Sequence, residues 1–184
     1  MKKTSFLAAA FFLSLLIGCS SKTLSRENAL ELIKKQYPYP AVQVYSIFTA
    51  DPAFSQKIID AGLANEGLIN VDKTPSFKIH PIITFTDKAK PFLLPVEEKD
   101  KADHIARVRA AEEDIIAVTG IKMLGQGKKA IVEYTTQYKD LTPFAAIDKD
   151  QLVGGKTNSK KAYFSLFDDG WRLEKKPGLD FMTE

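Results

Sequence analysis

The last third of the chain alternates apolar and polar side chains with a period of two, and this pattern limits the folds open to the chain more than any other feature. Across residues 130–136 the even-numbered side chains form a drier face than the odd-numbered ones, which is typical of a half-buried strand. Lys161–Phe167 and Trp171–Glu174 flank the segment Asp168-Asp169-Gly170, and Asp-Gly between alternating segments is a strong hairpin signal. The sequence therefore predicts an antiparallel sheet in this region.

Two helices are expected in the first half of the chain. Ser25 is a candidate N-cap for the first, and Pro38 is expected to end it, because proline cannot continue a helix. Asp51 and Pro52 are suited to the N-cap and the first position of the second helix. Both segments carry an apolar stripe at helical spacing, which indicates that each helix packs on a core.

The remaining segments contain short strands and one ambiguous stretch. Val42–Phe48 is β-branched and aromatic and is expected to be a strand, while Leu68–Val71 and Lys78–Phe85 are expected to pair as a hairpin. Residues 96–104 are almost all charged, which suits either a loop at a boundary or a solvated helix turn. Residues 105–113 fit a helix or a strand, and a strand is favoured from Asp114 onward.

These elements predict an α+β fold. Residues 25–95 would supply the N-terminal helices and the small β-hairpin. Residues 105–184 would supply a C-terminal antiparallel sheet of about four strands, which is near the usual size of a sheet. The two parts are expected to form one compact globular unit, since a chain of 184 residues fits a single domain.

The first residues have the layout of an export signal. Lys2-Lys3 precedes an apolar run over Phe6–Ile17, and a small residue, Gly18, follows it. The run is about a dozen residues long, whereas a membrane-spanning helix needs roughly 20. The sequence thus predicts a removable signal peptide over residues 1–18 rather than a permanent transmembrane helix.

The residues Leu16-Ile17-Gly18-Cys19 resemble the lipobox of bacterial lipoproteins. The resemblance implies that the chain is cut before Cys19, that acyl chains are attached at this residue, and that residues 19–24 form a lipidated tether. Several acyl chains give a stable anchor, whereas one gives only marginal binding. Ser20 stands where an aspartate would retain such a protein in the inner membrane, so the resemblance implies the outer membrane, facing the periplasm.

Two further resemblances concern the folded part. Residues 51–93, with a helix, a hairpin and the segment Phe85-Thr86-Asp87-Lys88, resemble the recognition helix and wing of winged-helix proteins. An exported protein does not meet chromosomal DNA, so this shape would serve as a scaffold. The overall layout is similar to that of small bacterial envelope lipoproteins, a resemblance that implies no particular activity.

Charge and cysteine content narrow the possible partners. Lys2 and Lys3 are the only charged residues before Cys19, so that removal of the signal lowers the formal net charge from +3 to +1. Nucleic-acid binding needs a concentrated basic face, and we expect none. Cys19 is the only cysteine, so no disulfide within the chain is possible. With His80 and His104 as the only histidines, no metal site and no cofactor are expected.

No catalytic set is evident in the sequence. Glu112-Glu113-Asp114 is a carboxylate cluster, but glycoside hydrolysis needs two acids that face each other from separate elements. Tyr134, Tyr163 and Trp171 could line a concave face for an apolar or glycan ligand, and their alternative role is to fill a core. We therefore expect a membrane-anchored, non-enzymatic binding or envelope-accessory module with a possible envelope protein partner. The alternatives are a periplasmic hydrolase that uses scattered carboxylates and a carrier of a small apolar ligand.

Overall fold

A computed structural model describes residues 23–72, 74 and 80–181 of the chain. The α-helices of this part are α1 (Arg26–Gln36), α2 (Pro52–Asp60) and α3 (Glu98–Ala102). The strands are β1 (Ala41–Phe48), β2 (Ile69–Val71), β3 (Ile83–Phe85), β4 (Leu93–Leu94), β5 (Ile105–Leu124), β6 (Lys129–Lys139), β7 (Thr157–Phe167) and β8 (Gly170–Leu173). Short 3₁₀ helices cover Asp87–Phe92, Gly125–Gly127, Pro143–Asp148 and Leu179–Phe181. The predicted signal peptide and Cys19 lie outside the described residues.

The main sheet is antiparallel and runs in the order β1-β5-β6-β7-β8, with β4 also paired to β5. The predicted α+β class is confirmed, and β5 to β8 are the four strands expected from the second half. The sheet is larger than predicted, because β1 and β4 from the first half join it and bring it to six strands. The first half of the chain therefore contributes strands to the main sheet as well as helices and the β2–β3 pair.

β5 makes this arrangement possible. It is 20 residues long, and it pairs with β1 from Ile105 to Glu113 and with β6 from Glu112 to Leu124. Register shifts at Ile115/Ala117 and Val118/Gly120 mark bulges, which bend the strand and turn it. The ambiguous residues 105–113 are thus a strand throughout, since pairing on the sheet decides between two local patterns of similar strength.

Local helix signals act as predicted. The Ser25 side chain accepts a hydrogen bond from the backbone amide of Asn28 at 3.1 Å, and Asp51 accepts one from the amide of Phe54 at 2.8 Å. Each bond satisfies an amide that the first turn of a helix leaves unpaired. The charged stretch 96–104 contains the short helix α3, which agrees with the helix-turn interpretation.

Residues 51–93 contain α2, the antiparallel β2–β3 pair and a 3₁₀ helix. β1 lies between α1 and α2 in the chain and belongs to the main sheet. The β2–β3 pair forms a separate two-stranded sheet, which shares the second buried cluster with α2, β1 and β5.

Two buried clusters stabilise the fold. The first lies under α1 and joins this helix to β5 through β8, and its members include Ile33, Val132 and Phe164. The second lies under α2 and the β2–β3 pair, and its members include Val108 and Phe144. β5 contributes buried side chains to both clusters, so the two cores share one strand.

Candidate functional site

The three aromatic residues predicted to face a ligand do not converge. Tyr134 and Trp171 are 4% and 8% exposed and belong to the cluster under α1. Tyr163 lies on the other face of the sheet, where its ring is 5.3 Å from that of Phe181. In the β6–β7 register Tyr134 is opposite Lys160, so Tyr163, an odd number of residues further along, points the other way. The three side chains therefore line no common concave face.

Glu113 is the most buried acid of the predicted carboxylate cluster, at 4% exposure. Its Oε1 atom accepts a hydrogen bond from the Thr136 hydroxyl at 2.6 Å and lies 2.6 Å from Nζ of Lys160. Its Oε2 atom accepts a bond from Nε2 of Gln43 at 3.2 Å. Donors from three strands thus surround this carboxylate, which is the arrangement that stabilises a buried charge.

The two neighbouring acids point elsewhere and have separate partners. Asp114 lies 2.8 Å from Nζ of Lys139, and Glu112 lies 3.5 Å from Nη1 of Arg109. The hydrogen bond from Lys139 holds the pKa of Asp114 below its usual range. Within the described parts of the chain, Glu113 contacts Thr136, Lys160 and Gln43 and no second acid or histidine, so these contacts do not form the facing pair of acids that glycoside hydrolysis requires.

A pair of tyrosines lies beside this carboxylate. Burial raises the pKa of the Tyr134 hydroxyl well above its ordinary value, and the hydrogen bond with Tyr39 raises it further. The same bond lowers the pKa of Tyr39, although burial is the larger effect and raises it overall. Both hydroxyls are therefore held in the neutral form and serve to join the end of α1 to the sheet.

An apolar groove lies at the other end of β5, beside the second core. Its volume is about 460 Å³, which falls within the size range of ligand pockets. The wall is formed by Thr49, by residues of β3 and β4, and by the first residues of β5. The apolar side chains of the lining are those of Pro81, Ile83, Phe85, Leu93, Leu94, Val96, Ile105 and Ala106. The groove, which we call the β3–β5 groove, thus offers a mainly apolar surface.

Three residues with nitrogen-bearing side chains also line the β3–β5 groove, namely Lys101, His104 and Arg107. Arg107 donates to the Asp100 carboxylate at 2.7 Å, and Asp100 is 7% exposed. Lys101 lies 2.6 Å from Glu98. The Asp100–Arg107 pair therefore holds α3 against β5 and shapes this side of the groove.

Phe144 supports the floor of the groove from below. This residue is fully buried, and its ring centroid lies 6.2 Å from that of Phe85 and 5.9 Å from that of Phe92. Thr142 begins the 3₁₀ helix that carries it, and the Thr142 hydroxyl donates to the Arg109 carbonyl at 2.7 Å. The groove wall is thus fixed by packing to β5.

Sequence reasoning missed this groove. The pair Leu93-Leu94 between Pro91 and Pro95 was a visible signal, because two apolar residues in a proline-bounded segment need a surface to pack on. Ile105 lay in the stretch whose secondary structure was ambiguous. Only the pairing of β4 with β5, at Leu93↔Val108, brings these segments together.

Within the described residues, no group of three His, Cys, Asp or Glu side chains could hold a metal ion. In the same part of the chain, no helix is both long and apolar enough to cross a membrane. No protein-family model matches the sequence, and neither a curated protein nor a solved structure is significantly similar to it.

Proposed function

We propose that this chain is a lipid-anchored, non-enzymatic binding module of the bacterial envelope, and that its β3–β5 groove takes an apolar segment of an envelope protein. The observation that carries the proposal is the lining of the groove. Apolar side chains from three strands line an open groove that lies beside the packed second cluster. Burial of such surface contributes about 25 cal/mol per Å², so a partner that covers it gains binding energy.

The anchor part of the proposal rests on the sequence. Lys2-Lys3, the apolar run and Leu16-Ile17-Gly18-Cys19 together have the layout of a lipoprotein signal. Lipid attached at Cys19 would hold the domain on the membrane, and Ser20 favours the outer membrane, facing the periplasm. A short tether over residues 19–24 would then keep the domain close to the bilayer.

The position of the groove along β5 supports this use. The groove lies at the Ile105 end of the strand, whereas Thr23 lies beside Met123 near the other end. At about 3.3 Å per residue, the strand between these ends has a contour length of at most roughly 60 Å. A groove so placed would be presented to the periplasm, away from the attachment point.

The two alternatives have less support. A hydrolase would need a second acid or a histidine near Glu113, whose recorded partners are Thr136, Lys160 and Gln43. A small-ligand carrier would need an enclosed aromatic cavity, and Tyr134 and Tyr163 lie on opposite faces of the sheet. An open groove suits an extended protein segment better than a molecule that must be enclosed.

Site-specific photocrosslinking in intact cells tests the binding role. A photoreactive amino acid at Val96 in the groove should give a discrete crosslinked protein, and the same amino acid at Ile116 should not. Ile116 is a matched control, because it is an exposed apolar residue of β5 outside the groove. Leu94→Glu should abolish the crosslink from Val96. Equal products from both positions, or crosslinks to lipid alone, would contradict a protein partner in the groove.

The anchor is tested separately. Cys19→Ala should abolish labelling by radioactive fatty acid and release the protein from membrane fractions. Labelling that persists in this variant would overturn the anchoring proposal and leave the crosslinking result unaffected.

A further inference from the structure

The end of the domain that receives the tether carries exposed apolar side chains on two hairpin tips. Met123 lies just before the β5–β6 turn and is 37% exposed, and Phe167 lies at the end of β7 and is 46% exposed. Both line one cleft, of about 850 Å³, together with Thr23. Apolar side chains that solvent reaches beside one cleft gain free energy when an apolar phase covers them.

The exit point of the chain is fixed at this end. Leu24 is 3% exposed and is packed in the cluster under α1. Two residues later, the Arg26 guanidinium donates to the Thr119 carbonyl of β5 at 3.3 Å. Thr23, the first described residue, therefore lies at the cleft that Met123 and Phe167 also line.

The tether is too short to carry these tips far from a membrane. Thr23 is four positions after Cys19, and four residue steps span at most about 14 Å when fully extended. The acyl chains would lie in the bilayer, so the cleft would be held within that distance of the interface.

The charges of the tips are compatible with a lipid surface. Asp169 pairs with Arg172 at 2.6 Å, and Asp180 pairs with Lys129, so that two acids of this end are neutralised. The Arg172 guanidinium also lies 4.7 Å from the Phe167 ring centroid, in a cation–π contact. The same cleft is lined by one further cation, Lys128, and by one further acid, Asp168, so that these two charges balance. Tips that combine exposed apolar side chains with no excess of negative charge can rest at a lipid interface.

We propose that the tips of the β5–β6 and β7–β8 hairpins rest on the bilayer, with Met123 and Phe167 inserted at the lipid interface. This inference rests on the proposed lipid anchor and extends it, because it assigns the membrane-facing surface of the folded domain. The anchored domain then has one orientation rather than swinging freely on its tether, and the β3–β5 groove points away from the membrane.

A depth measurement on the anchored protein tests the orientation. Full-length lipidated protein is reconstituted into vesicles of phosphatidylethanolamine and phosphatidylglycerol, and Met123→Cys or Phe167→Cys carries an environment-sensitive fluorophore. Lipids with a nitroxide should quench both labels severalfold more than a label at Ile116→Cys. Ile116, which is 55% exposed on the same strand, is the matched control.

Because Cys19 is the only cysteine of the chain, a thiol measurement tests the proposed lipid anchor independently of the proposed orientation. A lipidated Cys19 has no thiol, so the unsubstituted protein should contain no titratable thiol and should stay on the vesicles. If this holds and a water-borne quencher reaches the Met123 label as readily as the Ile116 label, the orientation is wrong while the anchor stands. A free thiol in the unsubstituted protein would overturn both.

Discussion

Nζ of Lys160 on β7 lies 2.6 Å from Oε1 of Glu113 on β5, across the intervening strand β6. Glu113 is almost fully buried, whereas the Lys160 side chain remains 36% exposed. The lysine thus reaches inward from the rim of the sheet to neutralise a carboxylate in its interior. This relationship ties three strands together by charge as well as by backbone pairing.

Removal of the Glu113 charge should destabilise the fold. Glu113→Gln leaves Lys160 without its counter-ion, and we expect the free energy of unfolding to fall by about 2 kcal/mol, less than for a fully buried pair because Lys160 is partly solvated. Denaturation by urea measures the change. In the variant Glu113→Gln/Lys160→Met part of this loss should be recovered, because no unpaired charge remains.

The pair Glu133–Lys161 is the matched control for this experiment. It joins β6 to β7 at 3.5 Å, next to Lys160 in the chain, but both of its side chains are more than half exposed. Glu133→Gln should therefore change the free energy of unfolding by less than about 0.5 kcal/mol. Equal losses from Glu113→Gln and Glu133→Gln would show that burial of Glu113 does not govern its contribution.

Loss of the Asp100–Arg107 pair should loosen α3. Asp100→Asn keeps the shape of a buried side chain and removes the charge that holds Arg107, so we expect a loss of about 1 kcal/mol in the free energy of unfolding. Hydrogen exchange should become faster in residues 98–102 than elsewhere. Glu98→Gln, which affects the exposed pair with Lys101, should leave hydrogen exchange unchanged. Faster exchange in this control would show that loss of any negative charge in α3, rather than loss of the Asp100–Arg107 pair, loosens the helix.

The Tyr134 hydroxyl should make stability depend on alkaline pH. Its pKa is raised in the folded state, so the folded chain holds this proton more tightly than the unfolded chain, whose tyrosine has a pKa near 10.0. The contribution of this hydroxyl to the free energy of unfolding is therefore fully present below that pH. It decreases as the pH rises above that value. Urea denaturation at several pH values between about 9 and 11 should give a shallower decrease in Tyr134→Phe. If the free energy of unfolding falls with pH equally steeply in Tyr134→Phe, burial of Tyr134 is not the cause of the decrease.

Truncation of the buried ring under the groove should affect both stability and binding. Phe144→Ala removes the contacts with Phe85 and Phe92 and should cost about 3–5 kcal/mol of unfolding free energy. The crosslink from Val96 should weaken in the same variant, measured at a temperature at which it remains folded. Leu179→Ala is the control, because Leu179 is 78% exposed, and its effect should stay within about 0.5 kcal/mol.

Signals that act over a few residues were sufficient to predict part of this fold. The caps at Ser25 and Asp51 and the turn at Asp168-Asp169-Gly170 are all present, since each depends on hydrogen bonds or dihedral angles within a single turn. β7 begins at Thr157, earlier than the predicted Lys161, because Thr157–Ser159 pair with β6 although their sequence resembles a loop.

The candidate site depends on contacts between distant residues and could not be predicted in this way. Glu113 and Lys160 are brought together only by the combined registers of β5 with β6 and of β6 with β7. A shift of one residue in either register reverses the face of every side chain beyond it, and β5 contains two such shifts. The groove likewise needs β4, a strand of two residues whose pairing with β5 no local pattern in the sequence identifies.

The passage of β5 through both buried clusters has a consequence for how the chain unfolds. If the side chains of β5 lose their contacts in one cluster, the strand also loses the backbone pairing that positions its side chains in the other cluster. The two clusters should therefore unfold in a single cooperative transition. A fragment that ends before residue 105 would lack the central strand of either cluster, and we expect no independently folding half. A destabilising substitution in the groove or at the anchored end then lowers the same free energy of unfolding. Sequence changes in the groove are therefore limited by the stability of the anchored end.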